Sequence, residues 1–292
     1  MTAFVTAGLD GSPESLSAAD WAAREALLRD ATLRLVQVRV PHSSRYAPVL
    51  DAETEQHWAE RVSRETVEEL TSRYPSLRAT TETPEGQPPR VLTEAAADSA
   101  LLVVGSRGLG SVLGFLVGSV ALPTVAHAPC PVVVVRAHKP GEDTTDAPAE
   151  PGDIVLGLDL EHPADELLGF AFDEAGRRQA RLRVLHGWDL PPAYGVRPIA
   201  AQPGLTTDLA EEKTAALNGM LQPWREKYPG VEADAQALIG RPARHLVESA
   251  PAASLVVVGR RMRRHVFGTH IGAVAHSVLH HADAPVAVVP HG

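Results

Sequence analysis

Between Leu101 and Ser119 the chain reads LLVVGSRGLGSVLGFLVGS. Four apolar residues end at Gly105, and glycines recur at positions 108, 110, 114 and 118. The apolar run is expected to form a buried strand, the glycines a loop, and Gly118-Ser119 the start of a helix. Those three elements in that order suit an anion. Glycine lets a backbone approach a ligand closely and take positive φ. The first amides of a helix have no intrahelical partner and sit at the end of the dipole that favours negative charge. Ser119 adds a hydroxyl and Arg107 a cation. The chemistry this pattern supports is the holding of a nucleotide's phosphates. The chain has no GxxxxGK[ST] loop, and no nucleophile and base share a local spacing.

The elements that would position this loop alternate between strand and helix. Strands are expected at 3–9, 33–40, 77–83, 101–105 and 132–136, with the third, less apolar one at an edge. Helices are expected from Pro13, capped by Ser12, to about Asp30, then over 51–74, 88–97 and 118–128. Continuous apolar strands such as Val132 to Val135 are buried on both faces, which fits a parallel sheet covered by helices on both sides. In a doubly wound sheet a ligand sits where the winding reverses, at the carboxyl ends of the strands. A reversal between the first and fourth strands would bring Asp10 and Gly105 side by side.

The order of elements then repeats. Residues 139–152, rich in Pro, Asp and Glu, read as a linker between a first domain over 1–138 and a second over 153–292. Asp159 answers Asp10 at an offset of 149 residues, and Gly259 answers Gly105 at 154. A period of half the chain means two copies of one domain, not a solenoid. The expected fold class is therefore α/β, with two tandem doubly wound domains, each on a five-stranded parallel sheet. The closing strands of the two copies, 132–136 and 286–289, are apolar enough to need covering, so the copies are expected to pair through them as an intramolecular pseudo-dimer. A further homodimer is left open.

Composition narrows the partners. Of 292 residues, 44% are apolar and 22% charged, as in ordinary globular domains. The net charge of −9 argues against general nucleic-acid binding. With Cys130 as the only cysteine no internal disulfide forms, which fits a reducing cytoplasm. The N-terminus does not read as a secretory signal, and no apolar run reaches the length of a membrane helix.

The spacing Gly105-x2-Gly108-x9-Gly118-Ser119, together with GLDGS at Gly8 to Ser12 and the closing strand APCPVVVV, resembles the universal stress protein family, and within it the tandem-domain, ATP-binding branch. That resemblance covers nearly the whole chain outside the linker and implies an adenine nucleotide alpha hydrolase-like fold. It implies that Gly8 and Asp10 lie against the ribose or adenine of ATP, and that Val38 contacts adenine. It implies that Gly105, Ser106, Arg107, Gly108, Gly110 and Ser111 wrap the ribose and phosphates. Gly118, Ser119 and Val120 would hold phosphate through backbone amides and the Ser119 hydroxyl, with the ATP bound alone or together with Mg2+. The second copy retains Gly157, Asp159, Gly259 and Gly272 but departs elsewhere. Met262 stands for the second glycine, Ala273 for the serine, and Arg260-Arg261-Met262-Arg263-Arg264-His265 form its loop. A side chain at a close-approach glycine blocks phosphate, whereas arginines supply charge, so a second site at these residues stays open.

Three functions follow. The first is an ATP-binding stress and signalling regulator whose nucleotide biases a loop read by an unknown protein partner. The second is a weak ATPase or phosphotransferase, and the third a nucleotide-free interaction module. Elsewhere, His276 and His280 stand four apart with His281 adjacent; the spacing suits a metal, but no third ligand is evident. Cys130 reads as an inert core thiol, Trp21, Trp58, Trp188 and Trp224 as packing, and Val112 to Val117 as loop packing or a contact surface.

Overall fold

The computed structural model describes residues 4–40, 52–106, 118–137, 152–189, 203–262 and 271–292. They fall into two compact units. The first runs β1 (Phe4–Leu9), α1 (Pro13–Leu28), β2 (Thr32–Gln37), α2 (Ala52–Arg73), β3 (Arg78–Glu82), α3 (Pro88–Ala95), β4 (Ser99–Ser106), α4 (Ala121–His127) and β5 (Val132–Arg136). Its strands are all parallel, in the order β3-β2-β1-β4-β5. The second unit repeats the series as β6 (Asp153–Gly157), α5 (Asp165–Arg178), β7 (Leu182–Trp188), α6 (Pro203–Lys227), β8 (Ala233–Ile239), α7 (Pro242–Ser249), β9 (Ala253–Arg261), α8 (Ala273–His281) and β10 (Val286–His291). Its parallel order is β10-β9-β6-β7-β8. Each unit is thus the doubly wound α/β sheet expected, with the reversal between its first and fourth strands. Among the described residues no helix is long and apolar enough to cross a membrane.

The cores lie on the central strands. Val5, Ala7, Leu101 to Val104 and Val132 to Val135 are buried in the first unit, and Ile154 to Leu156, Leu255 to Val258 and Val286 to Val289 in the second. Both faces of these strands are apolar because helices cover both. β3 is exposed at every residue except the half-buried Ala79, as befits an outer strand. The first helix of each unit carries a buried glutamate paired with an arginine one turn later, Glu25 with Arg29 and Glu174 with Arg178. Each of these helices is followed by a non-glycine residue in the left-handed region, Asp30 at φ 48° and Gln179 at φ 53°.

Most element ends differ from expectation by one to three residues, and two of them bear on the site. β2 stops at Gln37, leaving Val38 half-buried beyond it. α4 begins at Ala121, with Ser119 and Val120 in a turn ahead of it; Leu122 N donates to Gly118 O at 3.3 Å and Thr124 N to Val120 O at 3.2 Å. Pro123 has no N–H to give and is tolerated in this opening turn.

The left-handed Gln179 gives a simple stability test. Its side chain is exposed, and its Cβ crowds the backbone as any L-residue's does in that region. Gln179→Gly is expected to stabilise the second unit by about 0.5–1 kcal/mol, less than the full steric relief because glycine also loses more chain entropy. Urea midpoints of wild type, Gln179→Gly and Gln179→Ala check this, and the alanine variant should show no gain.

Candidate functional site

The carboxyl ends of β1 and β4 lie side by side, since Ala7 is level with Val103. From β1 the chain winds toward β2, and from β4 toward β5, so the connections diverge and leave a crevice at these ends.

Gly8 is held by packing. A Cβ there would lie 3.1 and 3.3 Å from the two methyls of Leu92 on α3 and 3.7 Å from Val104. Asp10 follows the strand and organises the turn into α1. Its Oδ1 accepts from Ser12 N at 3.0 Å and from Ser12 Oγ at 2.5 Å, and its own N–H donates to Ser15 Oγ at 3.2 Å. Gly11 takes φ 79°, and Ser12 Oγ accepts from Ser15 N at 3.2 Å, which caps the helix. The carboxylate is exposed, so capping leaves it accessible.

Gly105 also answers to packing. A Cβ there would stand 2.7 Å from the carbonyl carbon and oxygen of Glu14 and 2.9 Å from Ser15 N, in the first turn of α1. One residue on, Ser106 is 2% exposed, and its Oγ is buried without a hydrogen-bond partner. A buried hydroxyl is ordinarily paired, because leaving it unpaired costs about 1–3 kcal/mol. Gly118 and Val120 are half-buried and Ser119 is exposed, in the turn ahead of α4. Arg107, Gly108, Gly110 and Ser111 lie outside the described residues, as does the stretch Val112 to Val117.

The second unit keeps the packing and changes the rest. Gly157 repeats Gly8, with Leu246 Cδ1 2.7 Å from a Cβ placed there. Asp159 Oδ1 accepts from Glu161 N at 3.0 Å, but no serine caps the helix, and α5 starts only at Asp165 behind an uncapped Ala164. His162 Nδ1 lies 3.2 Å from the other carboxylate oxygen, Oδ2. Burial pushes the Asp159 carboxyl upward, yet the Glu161 amide, His162 and the charge of His186 together leave it below the usual carboxylate value. At Gly259 the neighbours of a Cβ are His291 Nε2 at 2.9 Å and Leu167 Cδ2 at 3.2 Å, not a helix backbone. Side chains of His291 and Leu167 thus stand where the backbone of Glu14 and Ser15 stands beside Gly105. Arg260, 3% exposed, stands in the place of Ser106, and Arg261 ends the strand on the surface. Met262 is exposed and its N–H donates to His291 O at 2.8 Å. Gly272 has open space around a Cβ, and Ala273 opens α8. Arg263, Arg264 and His265 lie outside the described residues.

His162, His186 and His291 were not singled out from the sequence. Their placement depends on residues far apart in the chain meeting at strand ends, and no local spacing marks them. The rings of His276 and His280 lie 4.5 Å apart on α8, and burial, then the charges of His280 and His281, hold the His276 imidazole below its ordinary value. Among the described residues no three His, Cys, Asp or Glu side chains are grouped to hold a metal. Cys130, Trp21 and Trp188 are buried, and Trp224 stacks on Phe172 and Tyr228. The side chain of Trp58 lies outside the described residues.

The universal stress protein family model matches residues 3–136 and again 152–290. The chain belongs to the universal stress protein family. Two family members from Mycobacterium tuberculosis are similar along nearly their whole length. Universal stress protein Rv1996 is 34% identical, over 97% of this chain and 94% of its own. Universal stress protein Rv2005c is 31% identical, over 97% and 96%. The crystal structure of a universal stress protein from Archaeoglobus fulgidus superposes with a TM-score of 0.73 at 16% identity, covering 99% of this chain and 98% of that one. Two further structures of universal stress proteins hold an adenine nucleotide. One in complex with cAMP is 25% identical over 47% of this chain and 98% of its own, with a TM-score of 0.36. An Arabidopsis thaliana member with AMP bound is 19% identical over 50% and 97%, with a TM-score of 0.35.

Proposed function

We propose that the first unit binds ATP, with or without Mg2+, and works as a nucleotide-dependent stress and signalling regulator. The observation that carries this reading is the Ser106 hydroxyl, buried and unpartnered at the end of β4, one strand from Asp10 and at the reversal of the sheet. A ligand with oxygen atoms at that crevice would give the hydroxyl its partner. Asp10 suits ribose hydroxyls, and Val38, half-buried beyond β2, suits one face of the base. On the motif's spacing, Arg107, Gly108, Gly110 and Ser111 wrap the phosphates and Gly118, Ser119 and Val120 close on them; glycine amides suit phosphate oxygens. Nucleotide would act on a partner by favouring one arrangement of the loop over 106–117, which requires different affinities for the two arrangements. The second unit, with Arg260 at the serine position and an uncapped α5, does not take a second nucleotide in this reading.

The test is the nucleotide extracted from purified protein and the titration of stripped protein with ATP. Wild type should carry a single adenine nucleotide per chain. Gly118→Glu, which sets bulk and negative charge where phosphate would lie, should abolish it. Gly272→Glu, in open space in the second unit, should leave it unchanged. Unaltered nucleotide content in Gly118→Glu, or none in the wild type together with no response to ATP, would remove the site.

A further inference from the structure

The outer strands β3 and β8 occupy the same place in their units but are finished differently. Along a strand, successive residues turn their N–H and C=O groups to alternate sides. Leu182 N donates to Glu232 O, so the even-numbered residues of β8 face β7, and Ala233, Ala235, Ala237 and Ile239 face away. Three of these outward residues meet side chains of their own unit. Arg225 Nη2 donates to Ala233 O at 2.7 Å, Ala237 N donates to Thr214 Oγ1 at 3.3 Å, and His245 Nε2 lies 2.9 Å from Ile239 O.

β3 has the same register, Leu33 level with Ala79 as Leu182 is with Ala233. Arg39 N donates to Pro84 O just beyond the strand, so here too the even positions face inward, and Ala79, Thr81 and Thr83 turn their backbone groups outward. Among the described residues no side chain caps them. They border a cavity of about 660 Å3, shared with Arg64, Val67 and Glu68 of α2. Arg64 and Glu68 are one turn apart yet make no ion pair, although Arg61–Glu65 and Glu69–Arg73 on the same helix do, at 3.7 and 3.0 Å.

The charges at this edge are arranged about a centre. Arg78 and Glu82 stand equally far on either side of Thr80, with opposite sign and on the same face of the strand. Within the chain Arg78 also donates to Asp30, at 2.6 Å to its carbonyl oxygen and 2.8 Å to its carboxylate, and Glu82 lies 3.8 Å from Arg34, so a second copy would share these charges with those partners. An edge guarded against pairing carries like charges or proline, which repel or block a second strand. An edge with opposite charges placed symmetrically is complementary to itself turned end for end.

We propose that β3 is a homodimer interface, pairing antiparallel with β3 of a second copy about a two-fold axis at Thr80. In that register Ala79 faces Thr81 of the second copy and each pair exchanges two backbone hydrogen bonds, using the groups left open. Arg78 lies opposite Glu82 of the second copy on one face. On the other face the same axis brings Arg64 toward Glu68 of the second copy, supplying the partners those side chains lack. The contact is isologous and closes at two chains, because the capped β8 offers no matching edge.

Sedimentation velocity of the full chain over a concentration series tests this. Wild type should pass from monomer to dimer. Thr81→Pro removes an outward N–H that the β2–β3 ladder does not use, so the strand survives while pairing is lost. It should raise the dimer dissociation constant at least about tenfold, with an unchanged thermal melt. Arg64→Glu should weaken the dimer, and Arg64→Glu/Glu68→Arg should restore it; this pair of variants keeps the test intact if the proline variant does not fold. A wild type that stays monomeric throughout, a dimer insensitive to both single variants, or failure of the double variant to rescue would overturn the proposal. In those cases an extended segment of another protein becomes the occupant to look for.

Discussion

Gly105→Ala is expected to destabilise the first unit by about 3 kcal/mol, although it adds one methyl group. That methyl would sit 2.7 Å from the Glu14 carbonyl carbon and oxygen. Overpacking of a tight site costs about 1–3 kcal/mol, and the upper end applies here because the obstacle is backbone at the start of a helix. α1 cannot retreat without tearing the hydrogen bonds of Asp10, Ser12 and Ser15 that cap it. Gly259→Ala is the informative control. Its new methyl would meet the His291 ring and a Leu167 methyl, both side chains, which can turn aside. Chemical denaturation should show the first substitution to be several times as damaging as the second. Similar costs at both would mean that α1 yields more readily than its cap suggests.

Removing the guanidinium of Arg34 should cost about as much. Arg34 is 6% exposed and lies beneath the Phe4 ring, 4.6 Å from its centroid. Its Nε donates to Thr6 Oγ1, Nη1 to Asp98, and Nη2 to Ala95 O, Asp98 and Ser99 Oγ, so it ties β1 and β2 to the turn that enters β4. Arg34→Ala deletes these bonds, leaves the ring without its cation and opens a void; about 3 kcal/mol is expected. Asp98→Asn should cost only about 1 kcal/mol, since that carboxylate is largely in water. The pair also sets an acid limb. The hydrogen bond from Arg34 holds the Asp98 carboxyl below its ordinary value of 3.8, against the opposing effect of burial and with help from the Arg34 charge. A carboxyl lowered in the folded state adds stability above its unfolded value, and that contribution fades as pH falls through the folded one. Wild type should therefore lose stability below about pH 4 more steeply than Asp98→Asn. Equal acid limbs in urea titrations across pH would show the pairing to be energetically idle.

Much of the fold was legible because its causes are local. The runs 101–104 and 132–135 are too apolar for anything but strands covered twice, and Ser12-Pro13 announces a helix start. The duplication was legible in Asp10 and Asp159 and in Gly105 and Gly259, whose offsets barely drift. The late start of α4 was not, because Gly118 and Pro123 each fit more than one position in an opening turn. The site was legible in part. The carboxyl ends of β1 and β4, which carry Asp10 and Gly105, lie side by side as the winding predicted, but what surrounds them depends on strand order, which no local pattern reports. Gly8 and Gly105 mark strand ends, yet glycine spacing alone does not tell whether the close neighbour is a ligand or the protein. Their immediate neighbours are Leu92 and the backbone of Glu14. The filling of the second unit around Gly259 by His291 was hidden for the same reason, since those residues are far apart in sequence and meet only across paired strands.

The contact between Gly105 and the first turn of α1 has a mechanical side. With no side chain as a cushion between them, the tip of β4 and the root of α1 form a joint without slack. A displacement at the end of β4 is therefore expected to press directly on the backbone of Glu14, whereas in the second unit the side chains of His291 and Leu167 stand at the corresponding place and can turn aside.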